Sequence, residues 1–375
     1  MKFILIPDKF KGSATAEEVI AAIKAGLLKA FTQPEIIEVI ASDGGDGFLD
    51  AVAYYKKLNR VWVTTVDPLG RPMQAVFLED QEEQTAYIEL AAASGMVLLK
   101  QEERNPLVTS TYGTGMQIKE AISRGAKKIY VGLGGSATND GGAGMAEALG
   151  FSFYNDKGEK IKINGEQLSD IAQIKPPEDF AFSGVQFYAV NDVNNPLYGL
   201  NGAAHVYAAQ KGATEKDIAF LDEGLRHLDR IVQREFGVEI GTTAGAGAAG
   251  GAAFGLKAFA EAEFISGIDF ILQLSGVLDA VKAGDINYII TGEGKIDEQT
   301  LHGKLIDGVL RLGVKHSIPV IAVCGKLAIE EQFLKEKGIA AVLETMDTSK
   351  DLDYNMKHGT ALIEQRIFQY FSSDK

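Results

Sequence analysis

KKIYV (residues 127–131) followed by GLGGSATNDGGAGM (residues 132–145) decides how this chain is read. The apolar run has the pattern of a buried strand. Helical spacing resumes over residues 143–149, so the glycine-rich stretch is a strand-to-helix turn. Glycines let backbone N–H groups approach an oxyanion closely, and a helix N-terminus adds positive dipole. Ser136, Thr138 and Asn139 can donate hydrogen bonds, and Asp140 can hold a cation. Together with Gly134 and Gly135 they have the composition of a phosphate or Mg-nucleotide cradle. The plainer alternative is a tight turn with an N-cap.

Outward from this stretch the same grammar recurs. Residues 3–7 read as a strand and 8–13 as a loop. Thr15 with Glu18 forms a capping box for an amphipathic helix over 16–31. A strand over 36–41, the turn SDGGDG (residues 42–47) and a helix over 48–58 follow. Near the other end, INYIIT (residues 286–291) is a strand, and the loop GEGKIDEQT leads into a helix over 301–312. Strands over 319–323 and 340–343 alternate with helices over 330–336 and 361–371. This order predicts a parallel α/β sheet. The middle differs. Residues 60–67, 75–79 and 85–90 alternate as antiparallel strands, NDKG (residues 155–158) signals a hairpin, and 215–236 is one long helix. The expected fold class is therefore α/β in two domains. A Rossmann-like parallel-sheet domain takes residues 1–65 plus 275–375, and a second α/β domain is inserted over 66–274.

Composition narrows the function. With 375 residues the chain exceeds the usual size of one core. There are 51 acidic against 37 basic residues, a net charge of −14, which argues against a nucleic-acid partner. A local pocket on an acidic protein can still be positive, so an anionic small ligand stays open. The single Cys324 excludes an intramolecular disulfide and a cysteine-based metal site. It lies in PVIAVCGK (residues 319–326), a core-strand pattern. The start, MKFILIPDKFKG, has too short an apolar core for a leader peptide, and the Gly/Ala-rich stretch 241–256 is a poor membrane span. No membrane partner and a reducing cytoplasm are the expectation.

Ligands of open α/β sheets bind beyond the carboxyl ends of strands. Five polar clusters fall at such ends: Asp8, Lys9, Lys11 and Ser13; Asp43 and Asp46; the 132–145 loop; Asn191, Asp192, Asn194 and Asn195; and Glu293, Lys295 and Asp297. Any one Asp or Asn can be a turn residue or cap. Five clusters after five strands exceed what turn chemistry explains. His205 and His302 lie on expected helices without metal-ligand spacing, so structural roles are read for both. A G-x-G-x-x-G match at Gly245, Gly247 and Gly250 lacks a firm preceding strand. It is either a nucleotide-phosphate loop or a Gly/Ala helix packed close to a neighbour. Walker A and protein-kinase motifs are absent from the sequence.

As a set, several segments resemble the type-I glycerate kinases. They are FKGSATAEE (10–18), SDGGDG (42–47), DPLGRP (67–72), ELAAASG (89–95), TSTYGTG (109–115), GLGGSATNDGGAGM, NDVNNPLYGLNGA (191–203), AGAGAAGG (244–251) and TGEGKIDEQTLHGK (291–304). They keep the family's order and cover nearly the whole chain. Departures are small: Lys9 stands where the family often has Ser, Asp46 where Glu is usual, and Asn194 where Asp is common. Asn194 is accordingly given no metal role. The resemblance implies ATP-dependent phosphorylation of D-glycerate with Mg²⁺, at the 2-hydroxyl in bacterial members. It also implies a Rossmann-like domain and an inserted domain with the site in the cleft between them.

Phosphoryl transfer needs positioning and charge neutralisation more than covalent help. On this reading Asp192 orients or deprotonates the glycerate hydroxyl, with Asp297 second. Asp43 and Asp140 are the candidate Mg²⁺ contacts. Gly134, Gly135, Ser136, Thr138 and Asn139 cradle phosphates, with Glu293 at the nucleotide. Lys11, Ser13 and Arg71 are candidates for holding glycerate. Which loop takes ATP and which takes glycerate stays open. Two rival functions stand beside this one: an NAD(P)-dependent dehydrogenase of a small hydroxy acid, and a non-catalytic sugar-acid or nucleotide sensor.

Overall fold

Alternating apolar runs and polar turns give fourteen strands in the computed structural model, which describes residues 1–41, 45, 47–178, 182–297 and 305–373. In chain order they are β1 (Lys2–Leu5), β2 (Glu35–Glu38), β3 (Asn59–Val66), β4 (Pro72–Asp80), β5 (Thr85–Glu89), β6 (Lys128–Gly132), β7 (Ser152–Tyr154), β8 (Lys160–Ile161), β9 (Gln173–Lys175), β10 (Gln186–Val190), β11 (Glu263–Ile265), β12 (Tyr288–Ile296), β13 (Val320–Leu327) and β14 (Ile339–Glu344). The chain divides into two compact units, one of residues 1–42 with 267–375 and the other of residues 43–266.

The first unit carries an all-parallel sheet in the order β14-β13-β12-β1-β2. Counted along this unit alone, that is the doubly wound order 2-1-3-4-5, with its reversal between β1 and β12. β1 and β13 are nearly continuous apolar runs because helices cover both faces. The helix Ala16–Ala30 starts on the expected capping box: Glu18 N–H donates to Thr15 Oγ1 at 3.2 Å, and Thr15 N–H donates to the Glu18 carboxylate at 2.8 Å. It packs on the C-terminal helix Gly359–Ser372, where Gly26 leaves room for Ile367. Phe3, Phe31 and Phe371 meet at 5.5 Å between ring centroids. Each buried ring contributes about 2 kcal/mol of apolar burial. Cys324 lies in the core on β13, and burial pushes its thiol up to about 12, so it is an inert core residue.

The second unit carries a mixed six-stranded sheet, β11-β10-β6-β5-β4-β3, in which β5, β6, β10 and β11 are parallel. Its strands alternate. Ile88, Val131 and Ala189 enter the core, while Tyr87, Tyr130 and Tyr188 stack on the other face with centroids 5.4 and 4.5 Å apart. A three-stranded antiparallel sheet, β8-β7-β9, contains the expected hairpin at Asn155. The long helix runs over Glu215–Phe236 as read, between a Thr214–Asp217 capping box and a left-handed Gly237.

The units divide at residues 42 and 266 rather than at 65 and 274. β3 pairs along its whole length with β4 through a tight Asp67–Arg71 turn, which ties it to the second sheet. The helix Gly267–Leu274 belongs to the first unit because Ile268 fits against Gly308 of the helix Leu305–His316. Residues 238–240 form no strand. The helix expected from residue 301 begins in part outside the described residues, and its described portion is Leu305–His316. Among the described residues, no helix is long and apolar enough to cross a membrane.

Candidate active site

β6 and β10 are adjacent, parallel and in register, with Gly132 opposite Val190. The glycine-rich loop and Asn191–Asp192 therefore leave the same edge of the sheet, joined by the Leu133 N–H donating to the Val190 carbonyl at 3.0 Å. Gly135, Gly141 and Gly142 have φ of +62°, +62° and +71°, so the loop's path needs glycine there. Neighbouring segments stitch it in place. Met96 N–H donates to the Gly135 carbonyl (2.8 Å), Ala137 N–H to the Ser94 carbonyl (2.9 Å), and Thr109 Oγ1 to the Ala137 carbonyl (2.8 Å). Segments spread along residues 89 to 251 thus converge on this loop. The helix it leads into, Ala143–Ala148, is only six residues long, so its dipole adds little.

Asp140 is corrected from a metal contact to the loop's internal anchor. It is wholly buried. Its Oδ2 accepts from Thr111 N–H (2.7 Å) and Thr111 Oγ1 (2.8 Å), and its Oδ1 accepts from Gly142 N–H (3.1 Å). Burial raises its pKa, and the hydrogen bonds from Thr111 and Gly142 oppose the rise. A carboxylate so enclosed is closed to solvent, and its hydrogen bonds tie it to the loop.

The second glycine run is a packing partner of the first. A Cβ on Gly250 would overlap the Thr138 carbonyl oxygen, and one on Gly134 would overlap the backbone of Gly45. The Gly141 N–H donates to the Gly250 carbonyl at 3.1 Å. To make this approach, the helix Ala248–Ala260 breaks through three successive left-handed residues, Ala249 (φ 54°, ψ 41°), Gly250 and Gly251. Ala249 costs about 1–2 kcal/mol in that conformation. With no strand before Gly245, the G-x-G-x-x-G match is not a dinucleotide fingerprint, and the dehydrogenase reading loses its motif.

Ser136, Thr138 and Asn139 point inward rather than to solvent, at 4%, 0% and 0% exposure, while the Gly134–Gly135 backbone is half-buried. Thr138 Oγ1 and both polar atoms of the Asn139 amide are buried without a hydrogen-bond partner among the described residues. Such groups cost about 1–3 kcal/mol each, so a ligand or ordered water is expected to complete them. Lys211, 3% exposed, lies against them: its ammonium donates to Ser136 Oγ and to the Thr138 carbonyl, each at 2.7 Å. Sequence reading missed it. A lone Lys before Gly212 looks like a cation at a helix C-terminus, and only the fold shows its burial.

Asp192 is half-buried at the end of β10, beside the loop. In the first unit, the other candidates gather at the sheet's reversal. The Asp8 N–H donates to the Gly292 carbonyl at 2.8 Å, and Gly294 sits against the Phe10–Lys11 backbone, so β12 brings Glu293 and Asp297 beside the loop after β1. Lys11 is exposed. Asp297 pairs with Lys295 at 3.0 Å. Ser13 is corrected: its hydroxyl donates to the Met356 carbonyl at 2.6 Å, which ties it to the fold. Arg71 is corrected too. Its guanidinium is engaged by Asp67 at 2.5 Å and Glu103 at 2.7 Å, two carboxylates that hold its pKa above the usual value. Asp43, Asp46 and His302 lie outside the described residues, and His205 lies on the short helix Ala203–Tyr207. Among the described residues, no group of three or more His, Cys, Asp or Glu is placed to hold a metal ion.

Similarity to known proteins fits this arrangement. A glycerate kinase from Halalkalibacterium halodurans is 39% identical over 96% of this chain and 95% of its own length. A glycerate 2-kinase from Escherichia coli is 37% identical over 94% and 92%. A solved structure of a candidate glycerate kinase 2 from Salmonella typhimurium LT2 superposes with a TM-score of 0.81 at 33% identity, covering 100% of this chain and 98% of that one. The glycerate kinase family model matches residues 3–372, spanning both units and every segment that meets at the loop. The chain belongs to the glycerate kinase family and is an enzyme of that family.

Proposed function

We infer that this enzyme transfers the γ-phosphoryl group of ATP to the 2-hydroxyl of D-glycerate. The observation that carries the reading is a half-buried glycine backbone at the end of β6 beside a half-buried carboxylate, Asp192, at the end of the adjacent parallel strand. The first can hold phosphate oxygens through backbone N–H groups, and the second can take the hydroxyl proton. In the step, the glycerate oxygen forms its bond to the γ-phosphorus as the bond to the ADP oxygen breaks, and the proton passes to Asp192. Asp297 is the second candidate for that proton.

Lys11 suits the glycerate carboxylate, being exposed at the end of β1. Glu293, on β12 beside it, belongs on this reading to the nucleotide's surroundings. Mg²⁺ is part of the proposal. Mg²⁺ of this kind keeps several waters and binds phosphate oxygens with one or two carboxylates, and Asp43, outside the described residues, is the proposed protein contact. Preference for the 2-hydroxyl is supported by the E. coli relative, whose name specifies a 2-kinase.

Phosphorus and proton NMR of the product formed from ATP, Mg²⁺ and D-glycerate tests all of this at once. The expected product is 2-phosphoglycerate with equimolar ADP. A 3-phosphoglycerate signal overturns the regiochemistry, and no ADP overturns the donor. Asp192→Asn is expected to lower kcat by about 100-fold or more, and a loss under about tenfold removes Asp192 as the base.

A further inference from the structure

Lys211 is the only buried lysine among the described residues. Its place is set by the backbone. Gly212, at φ +98°, has no Cβ to keep the chain off the Arg104 carbonyl, and the short turn Ala209–Lys211 ends there with the side chain directed under the glycine-rich loop. The ammonium bridges Ser136 Oγ and the Thr138 carbonyl, both at 2.7 Å, and so spans the loop around Ala137. An ammonium can only donate, so Ser136 accepts here and its own O–H is directed elsewhere. Thr138 Oγ1 and the Asn139 amide, in the same stretch, are buried without partners among the described residues. Burial lowers the Lys211 pKa to about 7, and the Asp140 carboxylate opposes that shift. Burying an ammonium costs several kcal/mol, and a methionine would fill the same volume without that cost.

We propose that Lys211 is a positioning residue: its ammonium holds Ser136 and Thr138 so that the Gly134–Gly135 backbone presents its N–H groups to the phosphoryl donor, and its charge attracts that donor through the loop. This rests on the reading that the loop receives phosphate. A fixed cation behind oriented N–H groups in a dry interior acts more strongly than the same charge in water. Its effect falls on binding and alignment of the nucleotide rather than on the proton taken from glycerate.

Steady-state kinetics of Lys211→Met and Lys211→Gln in the full chain, with melting curves, test this. Lys211→Met is expected to raise the KM for ATP about tenfold or more while the KM for glycerate stays within about twofold. Lys211→Gln, which keeps one donor without charge, is expected to fall between, and it carries the test if the Met variant does not fold. The ATP affinity of the unsubstituted enzyme is expected to weaken between pH 6.5 and 8.5 more steeply than that of either variant. An unchanged KM for ATP and an unchanged pH slope, with only the melting temperature moved, overturn the proposal. Gly135→Ala separates it from the reading beneath. If Gly135→Ala raises the ATP KM and the Lys211 variants do not, the loop receives phosphate and the Lys211 proposal fails. If all three raise only the glycerate KM, both the phosphate reading and the Lys211 proposal fail.

Discussion

Two stretches of this chain are alike in glycine and lie in different environments. Residues 132–145 and 241–255 carry six glycines each. The first leaves a parallel strand at its carboxyl end and carries Thr138 and Asn139, whose side-chain polar atoms lack partners among the described residues. The second follows no strand, and three of its glycines, Gly250, Gly251 and Gly255, lie against the backbone of the first. On the proposed reading, glycine serves two purposes within a few ångströms: it opens backbone to a ligand in one stretch and lets backbone touch backbone in the other. What separates them is what a Cβ would meet and what precedes the run.

The hardest blow to this contrast is Gly250→Ala. The added methyl would overlap the Thr138 carbonyl at a left-handed position, so a loss of about 3 kcal/mol or more is expected in chemical denaturation. A loss below about 1 kcal/mol would mean that the second run is not a packing scaffold. Thr138→Val probes the other side. It keeps the shape and removes a buried hydroxyl without a partner, so stability of the ligand-free protein should hold or rise by about 1 kcal/mol. The KM for ATP should rise about tenfold if a ligand completes that hydroxyl; an unchanged KM leaves water as its partner.

The pH dependence of stability sharpens the comparison further. Lys211 has a folded pKa of about 7 against 10.5 when unfolded, so the folded state gives up its proton first. Stability should rise with pH from about 7 toward 10.5, by up to about 1.4 kcal/mol per unit relative to Lys211→Met. Nucleotide affinity should move the opposite way over the same range. The smallest effect expected is from Ala249→Gly, which relieves a left-handed alanine and should stabilise by about 1 kcal/mol or less without changing kinetics. A change in kcat there would show that the strained break acts in the reaction.

Local signals were legible. Thr15 and Glu18 fix the start of a helix within four residues, and the 215–236 periodicity needs no tertiary information. The polar residues at the ends of β1, β6, β10 and β12 were legible because strand ends are marked by where apolar runs stop. Partnership over distance was not. Arg71 looks like an open clamp until Glu103, 32 positions away, takes one of its nitrogens. Asp140 has the sequence signature of an exposed ligand, and only Thr111 makes it an anchor. β3 has a good strand pattern, but a pattern does not say which sheet will accept it; its turn into β4 does. Lys211 had no local signal at all, because burial of a charge is a property of the folded surroundings.

The strand order of the first sheet also bears on synthesis. β1 leaves the ribosome before the other described strands, yet it ends up between β2 and β12, and Phe3 pairs opposite Tyr288. At about 5–20 residues per second, its central neighbour arrives roughly 15–60 s later. Meanwhile residues 43–266, which contain both glycine runs, are complete and can close on their own contacts. The nascent chain thus carries a finished glycine-rich loop while one of its most apolar strands waits beside a single partner. That interval, rather than the finished fold, is where chaperone dependence and aggregation of this enzyme should concentrate.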